Sequence, residues 1–232
     1  MKKFKIDKEV FDLFPELQIA VLDFRNLDNS EVGRAIHLER AYKKISKIAY
    51  QNDILHTYIN DYSQAMKKIK RKKGSLASIE AMAKRVKKGS SIFSVNPVVD
   101  LYNYISLSHL FTCGGEDLDC IEGDMVLSFA NGNESFVPLG ETENKPPREG
   151  ELIYKDDIGT VVRSWLWREA DRTKITRKTK NALIYMELIN SSRVEEFEIA
   201  VKELGEVITS ELGGTCSKTV ISREMPECII EP

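Results

Sequence analysis

The sequence predicts an α+β fold, with a central mostly antiparallel or mixed sheet flanked by helices. Three observations predict it. Apolar residues recur at helical spacing between residues 30 and 88, the period shortens to two near Cys113, and a helical stripe returns over residues 192–212. Hydrophobic residues are 42% of the chain's 232 and charged residues 30%, a soluble globular balance with enough apolar material for a real core. The expected organisation is one domain over residues 1–232. It has a helical part at about 30–90, a sheet-rich part at about 113–190 and a C-terminal helix at about 192–212.

Each element has a local reason. Leu17 to Phe24 is a nearly continuous apolar run and reads as a buried strand. Val32, Ala35, Ile36, Ala41, Ile45 and Ile48 form one helical stripe. Ile54, Leu55, Tyr58, Ile59, Tyr62, Met66 and Ile69 form a second, which runs into Lys67–Lys73 and stops at Gly74. Ser75 reads as the N-cap of a third helix and Gly89 as its C-terminal stop. Asn96-Pro97 opens a fourth, with asparagine as cap, proline at the first helical position and Asp100 in the first turn.

Beyond Cys113, Gly114-Gly115 and Glu122-Gly123 read as turns. Met125, Leu127 and Phe129 alternate as a strand. Asn131-Gly132-Asn133 is a hairpin turn by composition, leading into residues 135–139. Residues 151–155 and 160–167 pair across residues 156–159, and residues 181–189 make another strand. Gly213-Gly214 ends the terminal helix, and residues 217–222 read as a final edge strand.

The totals narrow the function. A net charge of −2 gives no global attraction to nucleic acid, so any RNA contact rests on local patches. The charged start Met1-Lys-Lys-Phe-Lys is followed by no apolar signal segment, and no apolar run reaches membrane-spanning length. The four cysteines form no CxxC pair and there are three histidines, so a metal site is not expected. A reduced, cytoplasmic protein is expected, with no cofactor and no membrane or DNA partner.

The stretch from Arg163 to Glu187 holds the densest chemistry. Trp165 and Trp167, both of the chain's tryptophans, lie two apart; on a strand they and Arg163 would share a face. Arg172, Lys174, Arg177, Lys178 and Lys180 follow, then an apolar run that ends in the carboxylate of Glu187. Such a set can line a pocket for a small polar ligand joined to a polyanion. It equally suits a core strand with two packed indoles and a solvated turn. Glu187 then either reads a ligand or pairs with Arg168. The run containing Lys68, Lys70, Arg71, Lys72 and Lys73 is either an RNA-contacting patch or a solvated helix end.

The order of the segments SLASIEAMAKRV, SVNPVVDLYNY, EDLDCIEGDMVLSFANGNESFVPLG, GELIYKDD, RSWLWRE and TRKTKNALIYMEL resembles a freestanding B3/B4 domain. This is the tRNA-editing module of the phenylalanyl-tRNA synthetase beta subunit. The resemblance covers roughly residues 75–190 and implies an editing-domain-like fold with a pocket for an aminoacyl group on tRNA. It further implies that tRNA or aminoacyl-tRNA is the partner, and that the protein hydrolyses or recognises a noncognate aminoacyl ester. The alternative is a noncatalytic RNA or amino-acid binding module on the same fold.

Val98-Val99-Asp100 and Asn103-Tyr104 match the family's VVD-x-x-NY, and Glu187 matches the glutamate that reads the tyrosine hydroxyl. Substrate-binding roles are therefore expected for Glu187, Asn103, Trp165, Trp167, Arg168 and Gly114. The sequence departs from the family at three places. The editing histidine's position falls on Gly114, and the family arginine upstream of VVD falls near Phe93. Trp165-Leu-Trp-Arg-Glu replaces a glycine-rich segment. His109, five residues before Gly114, is the candidate general base, against a role as a helix-end cation. Asp100 reads as a helix-start carboxylate, Cys113 lacks a paired histidine, and Glu116, Asp117 and Asp119 read as a cation cluster or a turn of solvated acids.

Overall fold

The computed structural model describes residues 1–30, 37, 39–41, 43, 52–90 and 92–231. The stripe expected from Val32 to Ile48 lies outside the described residues except for Ala41, which is buried; the side chains of Ile54 and Leu55 also lie outside. In chain order the described elements are β1 (Lys2–Ile6), α1 (Lys8–Leu13), β2 (Gln18–Arg25), α2 (Asn52–Lys68), α3 (Ser78–Lys87), α4 (Pro97–His109), β3 (Thr112–Asp117) and β4 (Met125–Phe129). Then come β5 (Leu152–Lys155), β6 (Thr160–Arg163), β7 (Arg168–Glu169), β8 (Ala182–Leu188), α5 (Val194–Leu212), β9 (Thr215–Ile221) and β10 (Glu227–Glu231).

The α+β architecture is as expected, but the strands form two sheets. One is mixed, in the order β10-β1-β4-β5-β6-β7, with β1 and β4 parallel. The other is antiparallel, in the order β3-β8-β2-β9. Residues 125–189 supply β4 to β8 only. The strands β1, β2, β3, β9 and β10 come from outside that range; of the six strands of the mixed sheet it supplies four, β4 to β7.

The layers follow from which faces are apolar. Ala182, Ile184, Met186 and Leu188 of β8 pack with Leu101 and Ile105 of α4 and with Phe197 and Leu204 of α5. The opposite face carries Leu183 and Tyr185, which pack with Phe4, Leu127 and Tyr154 of the mixed sheet. β8 is buried along its whole length. A strand covered on both faces reads as an unbroken apolar run, which is why it is legible in the sequence. The α2 helix is fastened to it by the Tyr62 hydroxyl, which donates to the Glu187 carbonyl at 2.7 Å.

Four local expectations are corrected. Gly114-Gly115 is not a turn but the middle of β3. The rings of Tyr185 and Tyr102 occupy the space where side chains would stand. Ser75 does not cap α3, which begins at Ser78; its hydroxyl donates to the Lys72 carbonyl instead. Residues 135–139 do not pair as a hairpin with β4, whose antiparallel partner is β5. Glu134 accepts from the amides of Asn131 and Gly132, and Pro138 has no amide to offer a ladder. Finally, the strand expected to reach Trp167 ends at Arg163.

The α4 cap is as expected. Asn96 accepts from the Val99 amide at 3.1 Å, and Pro97 takes the first helical position. The same buried side chain also donates to the Ile175 carbonyl and accepts from Asn29. Asn96→Ala is expected to cost about 1–2 kcal/mol, read as a lower urea midpoint at unchanged slope.

Candidate functional site

Glu187 lies on the face of β8 that looks toward the mixed sheet. On that face, alternate residues of β3 and β8 stand opposite one another: Thr112 faces Glu187, Gly114 faces Tyr185 and Glu116 faces Leu183. The Glu187 side chain is 1% exposed and has no cation beside it among the described residues. Its Oε1 accepts from the Tyr154 hydroxyl and, at 3.0 Å, from Trp165 Nε1. Among the described residues, its Oε2 accepts only from the Thr112 hydroxyl at 3.3 Å. Desolvation pushes its pKa up to about 7, against the pull of those three donors. Arg168 is turned elsewhere, to the Leu139 carbonyl, so no Glu187–Arg168 pair forms.

Trp165 reaches Glu187 through a turn. Ser164 and Trp165 both adopt left-handed backbone, with φ of 51° and 58°. Each such residue costs on the order of 1–3 kcal/mol and persists only where its surroundings over-determine it. Here Glu151 does so. It is fully buried, accepts the Ser164 hydroxyl and pairs with Arg163 at 3.0 Å. The Trp165 amide then donates to the Leu152 carbonyl at 2.7 Å. Trp165 and Trp167 therefore share a turn rather than a strand face, and Arg163 points to Glu151 instead of joining them.

Glu187, Trp165, Trp167, Arg168 and Gly114 do come together. They line one cavity of about 50 Å³, along with Thr112 and Tyr185. Its walls grade from buried Thr112, Trp165 and Glu187 to half-buried Ser78, Trp167 and Arg168. A space of this size holds a few waters or a small side chain, well short of the roughly 300 Å³ and more of drug-sized sites. The ring of Tyr185 lies over Gly114: a Cβ there would stand 2.5 Å from its Cε2 and hydroxyl oxygen. The position that the family histidine would occupy is thus covered by tyrosine.

Asn103 and His109 are not brought to this cavity. Asn103 is half-buried on α4. His109 Nε2 lies 2.7 Å from Glu203 Oε2 on α5. Asp100 is fully buried and accepts from the Val95 amide and the Ser94 hydroxyl, as a structural carboxylate.

Of the acids at 116–119, Asp119 is exposed in a short turn capped by Asp117, whereas Glu116 and Asp117 are buried, and Glu116 is the clearest correction. It is fully buried, on the face of β3 that carries Thr112 and Gly114. Its Oε1 accepts from the Tyr185 hydroxyl at 3.2 Å; among the described residues no donor closes on its Oε2, and the Thr173 hydroxyl lies near enough to favour the charged form. Glu169 lines the cavity, keeps part of its surface open to solvent, and is raised to about 7 by the protein packed around its carboxyl. Burial and the nearby Glu169 charge raise Glu116 well above the usual carboxylate range. The parity of Glu116 with Thr112 is the signal that finds it, once residues 112–117 are known to be a strand.

The basic run borders this site. Lys68, Lys70, Lys72 and Lys73 are exposed, whereas Arg71 is turned inward to the Ser75 carbonyl. The Lys72 ammonium sits 5.1 Å from the centre of the Trp167 ring, and its backbone amide donates to the Ser164 hydroxyl. Lys70, Lys73 and Arg148 line an adjoining groove of about 620 Å³.

The model of the B3/4 domain matches residues 61–203, which include every residue of the cavity. The chain belongs to the B3/4 domain family. No curated protein matches it. Among solved structures, an N-terminal fragment of the phenylalanyl-tRNA synthetase beta-subunit from Pyrococcus horikoshii matches with a TM-score of 0.50 and 13% identity. The match covers 94% of this chain and 53% of that one, so this B3/4 domain protein spans about half the fragment's length. At that identity the likeness shows the fold alone. No helix among the described residues is long and apolar enough to cross a membrane.

Proposed function

We propose that this protein recognises a small aminoacyl group carried on the end of an RNA such as tRNA. The observation that carries the reading is Trp167, which lines the cavity and holds the Lys72 ammonium over its ring. A cavity for a small polar group and a cationic surface for phosphates thereby adjoin. Glu187 Oε2, with one long hydrogen bond, is the acceptor left for a ligand's polar group. Its other oxygen is taken by the chain's own Tyr154 and Trp165, and the cavity is too small for an aromatic ring. The ligand side chain is therefore small.

Recognition is favoured over hydrolysis because Tyr185 covers Gly114, and neither His37 nor His109 lines the cavity. Incubation with a panel of mischarged tRNAs is expected to leave deacylation at its spontaneous rate while binding is measurable. Deacylation accelerated in a concentration-dependent way would make the protein an editing hydrolase instead. Reversing Lys70, Lys72 and Lys73 to glutamate is expected to weaken RNA binding. The log–log salt slope should flatten by about 0.7 for each single-strand phosphate that the variant no longer neutralises. An unchanged slope would remove the run from the interface.

A further inference from the structure

We propose that Phe93, with Arg85 beside it, forms a stacking platform for an unpaired base of the bound RNA. The inference rests on the RNA half of the reading above and adds a contact outside the cavity.

Phe93 is the one exposed aromatic ring among the described residues, with 70% of its surface open to solvent. Single exposed apolar residues are ordinary on protein surfaces. This one, however, is held in place. Ile92 before it packs against the core. After it, the buried carboxylate of Asp100 accepts from the Ser94 hydroxyl and, at 2.8 Å, from the Val95 amide. The ring is thus presented by a segment anchored on both sides, and a base stacking on it would have little chain to order.

The surroundings of the ring are cationic. The Arg85 guanidinium lies 5.6 Å from the centre of the Phe93 ring. Lys87 and Lys88 follow at the end of α3, exposed like Arg85. Among the described residues no acid pairs with any of these three, whereas Lys84 is taken by Glu80 at 2.8 Å. The helix dipole accounts for cations in a last turn, but not for a bare aromatic ring against them. Bases stack on aromatic rings and on guanidinium planes, and neighbouring ammonium groups neutralise the backbone phosphates. The α3 helix also ties this patch to the cavity. Ser78, its first residue, lines the cavity and donates its amide to the Leu166 carbonyl. Arg85 lies about two turns, or roughly 10 Å, further along the helix. An RNA whose end enters the cavity is within reach of both.

The test uses the full chain and a short uncharged RNA duplex with a single-stranded 3′ tail, prepared in two forms. One tail carries its bases, and the other is built of abasic nucleotides. The abasic tail keeps the sugars and phosphates, so only stacking and base contacts are removed. Wild-type protein is expected to bind the base-bearing tail at least about 5-fold more tightly than the abasic one. Phe93→Ala and Phe93→Leu are both expected to bring that ratio toward one, since leucine keeps apolar bulk but offers no ring. Each variant's affinity for the abasic tail serves as the reference for folding and phosphate contacts. Equal binding of the two tails by the wild type would overturn the stacking contact and leave the aminoacyl reading standing. No binding of either form would overturn both. A ratio preserved in either variant would overturn the role of the Phe93 ring.

Discussion

Replacing Glu187 with glutamine should make the protein more stable than the wild type at pH 8, with the advantage fading as the pH falls toward 4. The Glu187 carboxyl has a folded-state pKa of about 7 against an ordinary value of 4.5, because it is buried without a cation. Between those values the folded protein keeps a proton that the unfolded chain releases. Stability from this group is therefore complete below the unfolded value and is lost as pH rises through about 7. Glutamine cannot titrate, and its carbonyl and amide can serve Tyr154, Trp165 and Thr112 much as the protonated acid does. The stability difference between variant and wild type should grow by about 3 kcal/mol from acid to alkaline pH. Urea unfolding of both proteins from pH 4 to pH 8 measures it. Parallel stability curves would show that Glu187 titrates normally and is not desolvated. Taking the difference between the two proteins cancels the pH dependence that Glu116 and Glu169 contribute to each.

Gly114→Ala should destabilise the protein by about 1–3 kcal/mol, although alanine suits a strand better than glycine does. The added methyl meets the ring of Tyr185, which is 3% exposed and wedged between Phe4 and Tyr154, with ring centres 5.8 and 4.9 Å away. The ring cannot swing aside without breaking its bond to Glu116. In a Tyr185→Ala background the same substitution should cost much less, and the double-mutant cycle reads the coupling between the two positions. Additive costs would mean that Tyr185 is not what confines position 114. By the same geometry, histidine at 114 cannot be accommodated beside Tyr185, so that single replacement would not rebuild an editing site.

Parts of this structure are legible in the sequence because a single physical rule governs them. The run from Ala182 to Leu188 is buried on both faces and is apolar almost throughout, so both the strand and the oddity of Glu187 at its end can be read. Asn96-Pro97 is a local helix start that tertiary contacts do not alter. The turn at Ser164 and Trp165 is hidden because neither residue favours left-handed backbone; a buried carboxylate twelve or more positions away in the chain, Glu151, imposes it. Gly114-Gly115 reads as a turn because glycine usually marks one, yet here its lack of a side chain admits two tyrosine rings. Residues expected to bind ligand are found together wherever they sit on β8, β3 or the tryptophan turn. Asn103 and His109 are not among them; they sit on α4, whose Leu101 and Ile105 pack against the other face of β8, with Ala182, Ile184 and Met186.

The central claim is that the cavity and the basic run act as one site for an aminoacyl group attached to RNA. Titrating the wild-type protein with seryl-amide RNA, the same RNA uncharged, and free serine tests it most directly. The joined ligand is expected to bind about 10-fold or more tightly than uncharged RNA, and more tightly than free serine. Equal affinity for charged and uncharged RNA would contradict the claim, leaving the cavity between the two sheets without a part in binding.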